Sequence, residues 1–242
     1  MKSRAAIHTG HGNPLVVDEV NIPDPQGDQV IVKLYSSGVC HSQLHQMHNP
    51  ETVTPSLLGH EGFGVVTHVG SKVTHVKEGD AAIVTWVPRE PTQGRWRAPS
   101  AGVTWNEQPL DASTYTWGED AIVWGGYVVK VEDDSPKDLS CIVGCAILTG
   151  AGAVTHTAKV RPEESVAIFG VGGVGMSAIQ MASILEAYPI IAVDLQDEKL
   201  EFAKEFGATH TVNAGKVDPV EAIIEITGGG VDYAFDAIGL RI

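Results

Sequence analysis

The stretch from Ser165 to Gly175 reads SVAIFGVGGVG, and it decides the fold of the second half of the chain. Its first five residues, Ser165 to Phe169, are apolar after the serine, which is typical of a parallel strand buried on both faces. The pattern GxGGxG follows at once, and a helix-compatible segment without proline follows the glycines. A strand, a glycine turn and a helix in this order predict the first βα unit of a doubly wound sheet.

The glycine turn also predicts a dinucleotide site. Gly170 permits the tight turn, Gly172 lets backbone approach a pyrophosphate, and Gly175 allows close packing of helix on strand. The start of the helix, at Gly173 and Val174, offers free N–H groups and positive potential to phosphates. Because glycine turns are common in α/β proteins, the motif by itself also fits an ordinary turn between a strand and a helix that binds no nucleotide.

Asp194 favours the dinucleotide interpretation, because it ends the next predicted strand 24 residues after Gly170. A carboxylate there can hydrogen-bond the adenosine ribose and repels a 2′-phosphate, so that NAD is favoured over NADP. The alternative is that Asp194 only caps the following helix. Lys199 is a second candidate ribose contact, or an exposed helical lysine.

The βα alternation continues to the end of the chain. Strands are predicted at 190–193, 210–213 and 231–237, and helices at 198–206 and 220–226. A complete dinucleotide fold has six strands in the order 3-2-1-4-5-6, and four are recognisable here. We therefore interpret the chain as a C-terminally truncated version of a longer protein.

Residues 1–140 have a different pattern, with short Val- and Ile-rich segments separated by Gly and Pro. Segments at 30–34, 64–69, 81–87 and 127–131 predict a compact β barrel or sandwich-like domain. The stretch 88–124 contains Trp96, Trp105 and Trp117 and predicts a surface lobe held by aromatic packing.

Composition excludes several classes of function. The formal net charge of −14 argues against a nucleic-acid partner. No apolar run is long enough to span a membrane, and the N-terminus is not a secretory signal. Three cysteines form a poor disulfide framework and suit a reducing compartment, so a cytoplasmic protein is expected.

Cys40, His60 and Cys145 are candidate metal ligands. Each also has an ordinary explanation, because free cysteines are usually buried apolar residues and a single histidine is usually structural. The chain contains no CxxC pair, so its spacing resembles no zinc finger.

In order and register, several motifs resemble the zinc-dependent medium-chain alcohol dehydrogenase family. They are Gly38-Val-Cys-His-Ser with His45, Gly59-His-Glu-x-x-Gly, Gly144-Cys145 ahead of Thr149-Gly150, and the glycine turn. The resemblance runs from about residue 5 to residue 241 and is weakest across 88–124. It implies a β-rich, GroES-like catalytic domain at residues 1–146. A truncated α/β Rossmann NAD-binding domain would follow at 147–242.

The resemblance implies one catalytic zinc on Cys40, His60 and Cys145, with a fourth position open to substrate. Two thiolates and a neutral imidazole balance the charge of the ion. Zinc in such a site acts as a Lewis acid toward an alcohol oxygen, and NAD takes the hydride.

Five further roles are implied by the same resemblance. Ser42 accepts the alcohol proton and passes it through the cofactor ribose to His45, while Glu61 lies beside the zinc. His41 contacts the cofactor pyrophosphate, and Thr149 lies near the nicotinamide ring. The alternative for Ser42 is an ordinary turn serine and for His45 a surface histidine, and the matched motif makes both less favoured.

Three positions depart from the family pattern. The stretch 88–124 has no cysteine, so the second, structural zinc of many relatives is not expected. Gln43 stands where relatives place an aspartate that orients the zinc-bound histidine, and it adds no negative charge. Glu186 falls near a helix end where relatives often have glycine, and a left-handed non-glycine residue there costs about 1 kcal/mol.

The sequence thus predicts an oxidoreductase that interconverts an alcohol and an aldehyde or ketone, with NAD and one catalytic zinc. A zinc-free quinone or enone reductase on the same fold is one alternative. A non-catalytic fragment that binds nucleotide or zinc is another. The resemblance implies a homodimer or homotetramer for the longer parent and leaves open the oligomeric state of this chain. Which small-molecule alcohol is used does not follow from the residues.

Overall fold

The computed structural model of the protein describes residues 1–90 and 98–239. Trp96, one of the three tryptophans of the predicted lobe, lies outside these residues. The chain divides into two compact units, Met1–Cys145 and Ala146–Ile242. Each unit has a hydrophobic core of its own.

Unit 1 consists of two five-stranded sheets. The first has the order β4-β1-β2-β7-β8 and the second β10-β6-β5-β3-β9, and neighbouring strands in both are antiparallel. The strands are β1 (Lys2–His8), β2 (Val16–Asn21), β3 (Gln29–Ser37), β4 (Ser56–Leu57), β5 (Gly62–Val69), β6 (Ala81–Val84), β7 (Thr104–Trp105), β8 (Gln108–Pro109), β9 (Asp120–Trp124) and β10 (Val128–Lys130).

One core lies between the two sheets. It contains Ile7 and Val20 from the first sheet and Val32, Val66 and Ile122 from the second, all at most 1% exposed. Along β1 the buried residues alternate with exposed ones, as a strand with one face on the core requires. The predicted β-rich domain is therefore confirmed, with six more strands than the four segments that the sequence pattern identified.

The described tryptophans of the predicted lobe combine packing with hydrogen bonds, since Trp105 also packs against the core between the two sheets. Trp105 lies in β7, which pairs with β2, and its indole N–H donates to Asp18 at 2.8 Å. The Trp117 indole N–H donates to the Gly38 carbonyl at 3.1 Å. Both described tryptophans thus attach this stretch to the rest of unit 1 through hydrogen bonds.

Three short helical segments complete the part of unit 1 that matters for function. Helix α1 (His41–His48) follows β3. A 3₁₀ turn at Gly125–Tyr127 precedes β10, and another at Ser140–Gly144 leads directly into Cys145.

Unit 2 is a four-stranded parallel sheet in the order β13-β12-β11-β14, which is the predicted 3-2-1-4. Its strands are β11 (Val166–Phe169), β12 (Ile190–Asp194), β13 (His210–Asn213) and β14 (Tyr233–Asp236). Its helices are α2 (Ala146–Gly152), a π-helical turn (Ala153–Ala158), α3 (Gly173–Ile184), α4 (Asp197–Glu205) and α5 (Pro219–Thr227).

Strand β11 is covered on both faces, as its unbroken apolar run predicted. Ile168 packs in one cluster with Ile179 of α3, whereas Ala167 packs in another with Ile191 and with Ile223 of α5. The doubly wound architecture is therefore confirmed.

Glu186, just beyond the end of α3, has φ of 60°, in the left-handed region that favours glycine. No helix in the described residues is long and apolar enough to cross a membrane.

Candidate metal centre and nucleotide-binding turn

Unit 1 brings Cys40, His60 and Cys145 together from three separate segments. Cys40 is the N-cap of α1, His60 lies between β4 and β5, and Cys145 ends the 3₁₀ turn. One potential ligand atom from each residue lies within 4.8 Å of the other two, and the two Sγ atoms are 4.0 Å apart. A tetrahedral ion with bonds of about 2.3 Å to sulfur separates two sulfurs by about 3.8 Å.

The local backbone explains why these side chains converge. Gly59 has φ of 102°, and a Cβ there would lie 2.5 Å from Thr116 Oγ1, so glycine is required directly before His60. The buried Thr85 hydroxyl donates to the Gly144 carbonyl at 2.5 Å and fixes the turn that presents Cys145. The sequence analysis overlooked Thr85, which carries no motif and acts on a residue distant in the chain.

The electrostatics of the cluster favour a cation. Burial lowers the pKa of His60 and keeps its imidazole neutral, as a metal ligand must be. Burial first, and then negative charge on Cys40, raises the pKa of the Cys145 thiol to about 11. Such a thiol stays protonated at neutral pH unless a nearby cation stabilises the thiolate.

One atom of the cluster has no bonding partner. The Nε2 atom of His60 is buried and accepts or donates no hydrogen bond among the described residues. Buried polar groups are nearly always paired, because leaving one unpaired costs about 1–3 kcal/mol. Two sulfurs and an imidazole nitrogen with a free position fit zinc in a catalytic site.

Gln43 connects α1 to the metal cluster. Its side chain is 1% exposed, its Oε1 accepts from the backbone N–H of Cys40 at 3.1 Å, and its Nε2 lies 2.7 Å from His60 Nδ1. A third contact, at 3.3 Å, joins its Nε2 to the Ser42 hydroxyl. The residue therefore lies where the resemblance implied, against the ring of the candidate ligand.

Glu61 is also buried beside the cluster, at 3% exposed. Its carbonyl accepts from the backbone N–H of Gly38 at 2.8 Å, and its negative charge contributes to the raised pKa of Cys145. A carboxylate that acts on Cys145 in this way adds to the negative potential that would attract a divalent cation.

The three remaining predicted residues of unit 1 lie together on α1. His41, Ser42 and His45 are all exposed, and the rings of His41 and His45 meet edge to face with centroids 4.9 Å apart. Their roles in proton transfer and cofactor binding stay predictions.

A cavity of about 860 Å³ opens beside His60. Residues on its wall include Ser56, Leu58, Trp86, Thr114 and Tyr127. Trp86 is half exposed, and its ring centroid lies 6.2 Å from that of His60, so this tryptophan belongs to the cavity wall and not to the core. The wall residues come from several distant segments, so no local sequence motif identifies them.

In unit 2, the glycine turn joins β11 to α3 as predicted. Helix α3 begins at Gly173 with Gly172 as its N-cap, and no side chain caps this end. Gly172 and Gly173 are exposed, Gly170 and Val174 are partly buried, and Gly175 is buried. The uncapped N-terminus offers backbone N–H groups to an anion.

Asp194 contacts both the glycine turn and the start of α4. Its Oδ2 accepts from the backbone N–H of Val171 at 3.0 Å, while its Oδ1 accepts from Leu195 and Gln196 at 2.8 and 3.1 Å. Both of these donors precede the first turn of α4, whose N-cap is Gln196, so the bonds hold the connection before the helix and do not cap it. The same carboxylate also stabilises the glycine turn through its hydrogen bond with the Val171 N–H. The other two predicted residues of this unit are exposed, Thr149 on α2 and Lys199 on α4.

Family comparisons agree with both parts of the chain. Residues 26–133 match the alcohol dehydrogenase GroES-like domain, and residues 173–241 match the zinc-binding dehydrogenase family. An S-(hydroxymethyl)glutathione dehydrogenase of Photobacterium damsela subsp. piscicida is 37% identical over 99% of this chain and 72% of its own length. A Synechocystis enzyme of the same name has the same identity and coverage.

Solved structures give the same result. An alcohol dehydrogenase zinc-binding domain protein from Burkholderia ambifaria matches with a TM-score of 0.91 and 34% identity. Benzyl alcohol dehydrogenase from Acinetobacter calcoaceticus matches with a TM-score of 0.88 and 33% identity. In both, the match covers 99% of this chain and 71% of the other. The chain belongs to the zinc-dependent alcohol dehydrogenases of the medium-chain dehydrogenase/reductase family.

Proposed function

We propose that this chain interconverts an alcohol and an aldehyde or ketone, with NAD as the hydride carrier and one catalytic zinc on Cys40, His60 and Cys145. The observation that carries the proposal is the convergence of two sulfurs with a buried, unpartnered imidazole nitrogen. A zinc-free reductase on the same fold has no use for this arrangement, so that alternative is not favoured.

Each ligand residue contributes a specific property to the site. The desolvated His60 is a neutral donor, and the two cysteine sulfurs supply negative charge once deprotonated. Zinc, when bound, supplies Lewis-acid stabilisation of negative charge on a substrate oxygen. The buried Glu61 carboxylate raises the negative potential around the sulfurs and so favours the bound cation.

The cavity beside His60 is the proposed substrate pocket. Leu58, Trp86 and Tyr127 give it apolar surface, and Thr114 gives it a hydroxyl. The curated relatives are named for S-(hydroxymethyl)glutathione and one structural relative for benzyl alcohol. We therefore propose these two alcohols as the first substrates to test.

The proton path we propose uses the exposed face of α1. Ser42 takes the proton of the alcohol, and the exposed His45 on the same helix releases it to solvent. His41 would contact the cofactor pyrophosphate.

The NAD site we propose lies on the glycine turn of unit 2. The residues that bind the pyrophosphate backbone are Gly170, Gly172, Gly173, Val174 and Gly175. Asp194 would bind the adenosine ribose with Lys199 beside it, and Thr149 would lie near the nicotinamide. NAD supplies the hydride acceptor. A neighbour from Sinorhizobium meliloti was solved with NADP, so the cofactor preference needs a direct measurement.

We assign residues 1–146 as the catalytic domain and 147–242 as the NAD-binding domain. A homodimer or homotetramer and a cytoplasmic location complete the proposal. Light scattering of the purified protein measures the first, and fractionation of cells measures the second.

The test is to purify the protein, measure zinc per chain, and follow NADH absorbance with the two alcohols. One zinc per chain and its loss in Cys40→Ala support the zinc site. Cys141→Ala is the control, because Cys141 is a cysteine of the same unit that is more buried than Cys40 and packs with Phe63 and Ile83 in a separate cluster. A protein that turns over alcohols without zinc would refute the proposal. Calorimetric titration with NAD distinguishes an enzyme from a fragment without a cofactor pocket, which would give no saturable heat.

A further inference from the structure

The Gln43 side chain lies between two groups that compete for its single oxygen. On one side is the backbone N–H of Cys40, which donates to Oε1 at 3.1 Å. On the other is His60 Nδ1, 2.7 Å from Nε2. At 1% exposure no solvent is available to replace either contact.

The contact with Cys40 is a helix-capping interaction. Gln43 is the third residue of α1, and a glutamine there commonly reaches back to the N–H of the N-cap residue. This bond fixes which end of the amide faces His60, because a backbone N–H can only donate. The NH₂ group of Gln43 therefore points at His60 Nδ1 and donates to it.

This orientation determines the tautomer of His60. A nitrogen that accepts a hydrogen bond carries no proton, so the proton of the neutral ring must be on Nε2. Nε2 is the buried nitrogen without a partner, and it is the atom left for a metal. A protonated Nε2 has no lone pair in the ring plane, so it cannot bind a cation.

Metal binding through Nε2 needs the opposite arrangement. The ring must then carry its proton on Nδ1 and donate it, which metal-bound histidines do to a carboxylate or a carbonyl. Gln43 can accept that proton only if its amide turns so that Oε1 faces His60. The NH₂ group then faces the Cys40 N–H, so that two hydrogen-bond donors face each other without an acceptor.

We propose that Gln43 is a positioning residue that holds His60 in the tautomer unable to bind a metal, so that zinc binding requires its amide to turn over and release the Cys40 N–H. The donor–acceptor conflict weakens zinc affinity and couples the metal to the first turn of α1. This inference rests on the proposed zinc site and concerns only how strongly, and with which rearrangement, that site binds.

The first test is the isosteric substitution Gln43→Glu, because two carboxylate oxygens accept from Cys40 and from His60 at once. Zinc affinity is measured by competition with a chromophoric chelator. We expect Gln43→Glu to bind zinc about 10- to 100-fold more tightly, the range seen for groups that hydrogen-bond a metal ligand.

Gln46→Glu is the matched control. Gln46 lies on the same helix and on the wall of the same cavity, so the substitution adds the same charge without the contact to His60. We expect its zinc affinity to stay within about twofold of that of the unsubstituted chain, because exposed charges are screened. Equal affinities for the parent and Gln43→Glu, or equal gains in both variants, would overturn the inference while leaving the zinc site intact. Failure of all three proteins to bind zinc would overturn the proposed function and this inference with it.

The second test needs no variant and so does not depend on the folding of Gln43→Glu. Ring nitrogen shifts from ¹⁵N NMR report the tautomer of His60 directly. We expect the proton on Nε2 in the metal-free protein and on Nδ1 after zinc is added, with faster hydrogen exchange at the Cys40 amide. A proton on Nδ1 before zinc is added would overturn the inference.

Discussion

A methyl group added at Gly175 would meet the carbonyl oxygen of Gly170 at 1.9 Å. Both partners are backbone, so no side-chain rotation relieves the contact. An ordinary contact begins at 3.4 Å, so the start of α3 must move about 1.5 Å away from the end of β11. Gly175→Ala thus tests whether close packing of helix on strand is what requires glycine at this position.

The expected cost follows from two opposing effects. Overpacking at a tightly packed site costs about 1–3 kcal/mol, and a backbone clash lies at the upper end of that range. Alanine is a better helix former than glycine by about 1 kcal/mol, which offsets part of the loss. We therefore expect the free energy of unfolding to fall by about 2 kcal/mol.

The control is a glycine-to-alanine substitution at a position where the added methyl group meets no other atom. Gly152 lies at the end of α2 with helical φ and ψ of −64° and −35°, and a Cβ there meets nothing within 4 Å. Gly152→Ala should stabilise the protein by about 0.5–1 kcal/mol through helix propensity alone. Urea unfolding followed by far-UV circular dichroism measures both changes, and hydrogen exchange of peptides from 166–184 localises them. A Gly175→Ala protein as stable as the parent, or stabilised like Gly152→Ala, would refute the packing argument.

Four further outcomes are expected. Glu186→Gly should raise the free energy of unfolding by about 1 kcal/mol by removing left-handed strain, and a loss in urea titrations would contradict this. Asp194→Asn should weaken NADH binding relative to NADPH in fluorescence titrations, because it removes the charge that we propose faces the ribose; an unchanged ratio would count against the proposed role. Chelation of zinc should lower the melting temperature of the parent but not of Cys145→Ser, since zinc at 100 times its Kd stabilises by about 2.7 kcal/mol. Hydrogen bonds from Lys130, and then from the backbone at Lys77, lower the pKa of Asp80 below 3.8. The ion pair therefore stabilises the fold above that pH, and its contribution disappears as the pH falls through the lowered pKa. Lys130→Met should therefore destabilise at neutral pH and match the parent in strong acid, and a difference that persists in strong acid would be inconsistent with this pair.

The fold class was predictable because its signals are local. The apolar run 166–169 identifies a strand buried on both faces without reference to any other part of the chain, and the glycines that follow fix the turn. In unit 1 the prediction was less complete. Strands β1 and β2 carry mixed polar and apolar residues such as Arg4 and Asp18, and what makes them strands is their pairing with each other.

The family motifs also indicated the candidate ligands, but the residues alone did not. Cys40, His60 and Cys145 lie far apart in the chain, and each has an ordinary explanation taken singly. Their assigned roles, like the boundary between residues 146 and 147, stay predictions. The geometry adds that their ligand atoms share one small volume with an unpartnered nitrogen.

Local signals in the chain predicted the βα alternation, the glycine turn and the acidic residue at the end of the second strand, and the motifs indicated the family. Tertiary structure alone decided that Thr85 fixes the turn before Cys145, that distant segments enclose a cavity beside His60, and that the Gln43 amide faces two competing groups. The physical reason is the distance along the chain over which each interaction acts. Periodicity and turn chemistry act between neighbours in the chain, whereas a hydrogen-bond conflict exists only where folding brings its partners within about 3 Å.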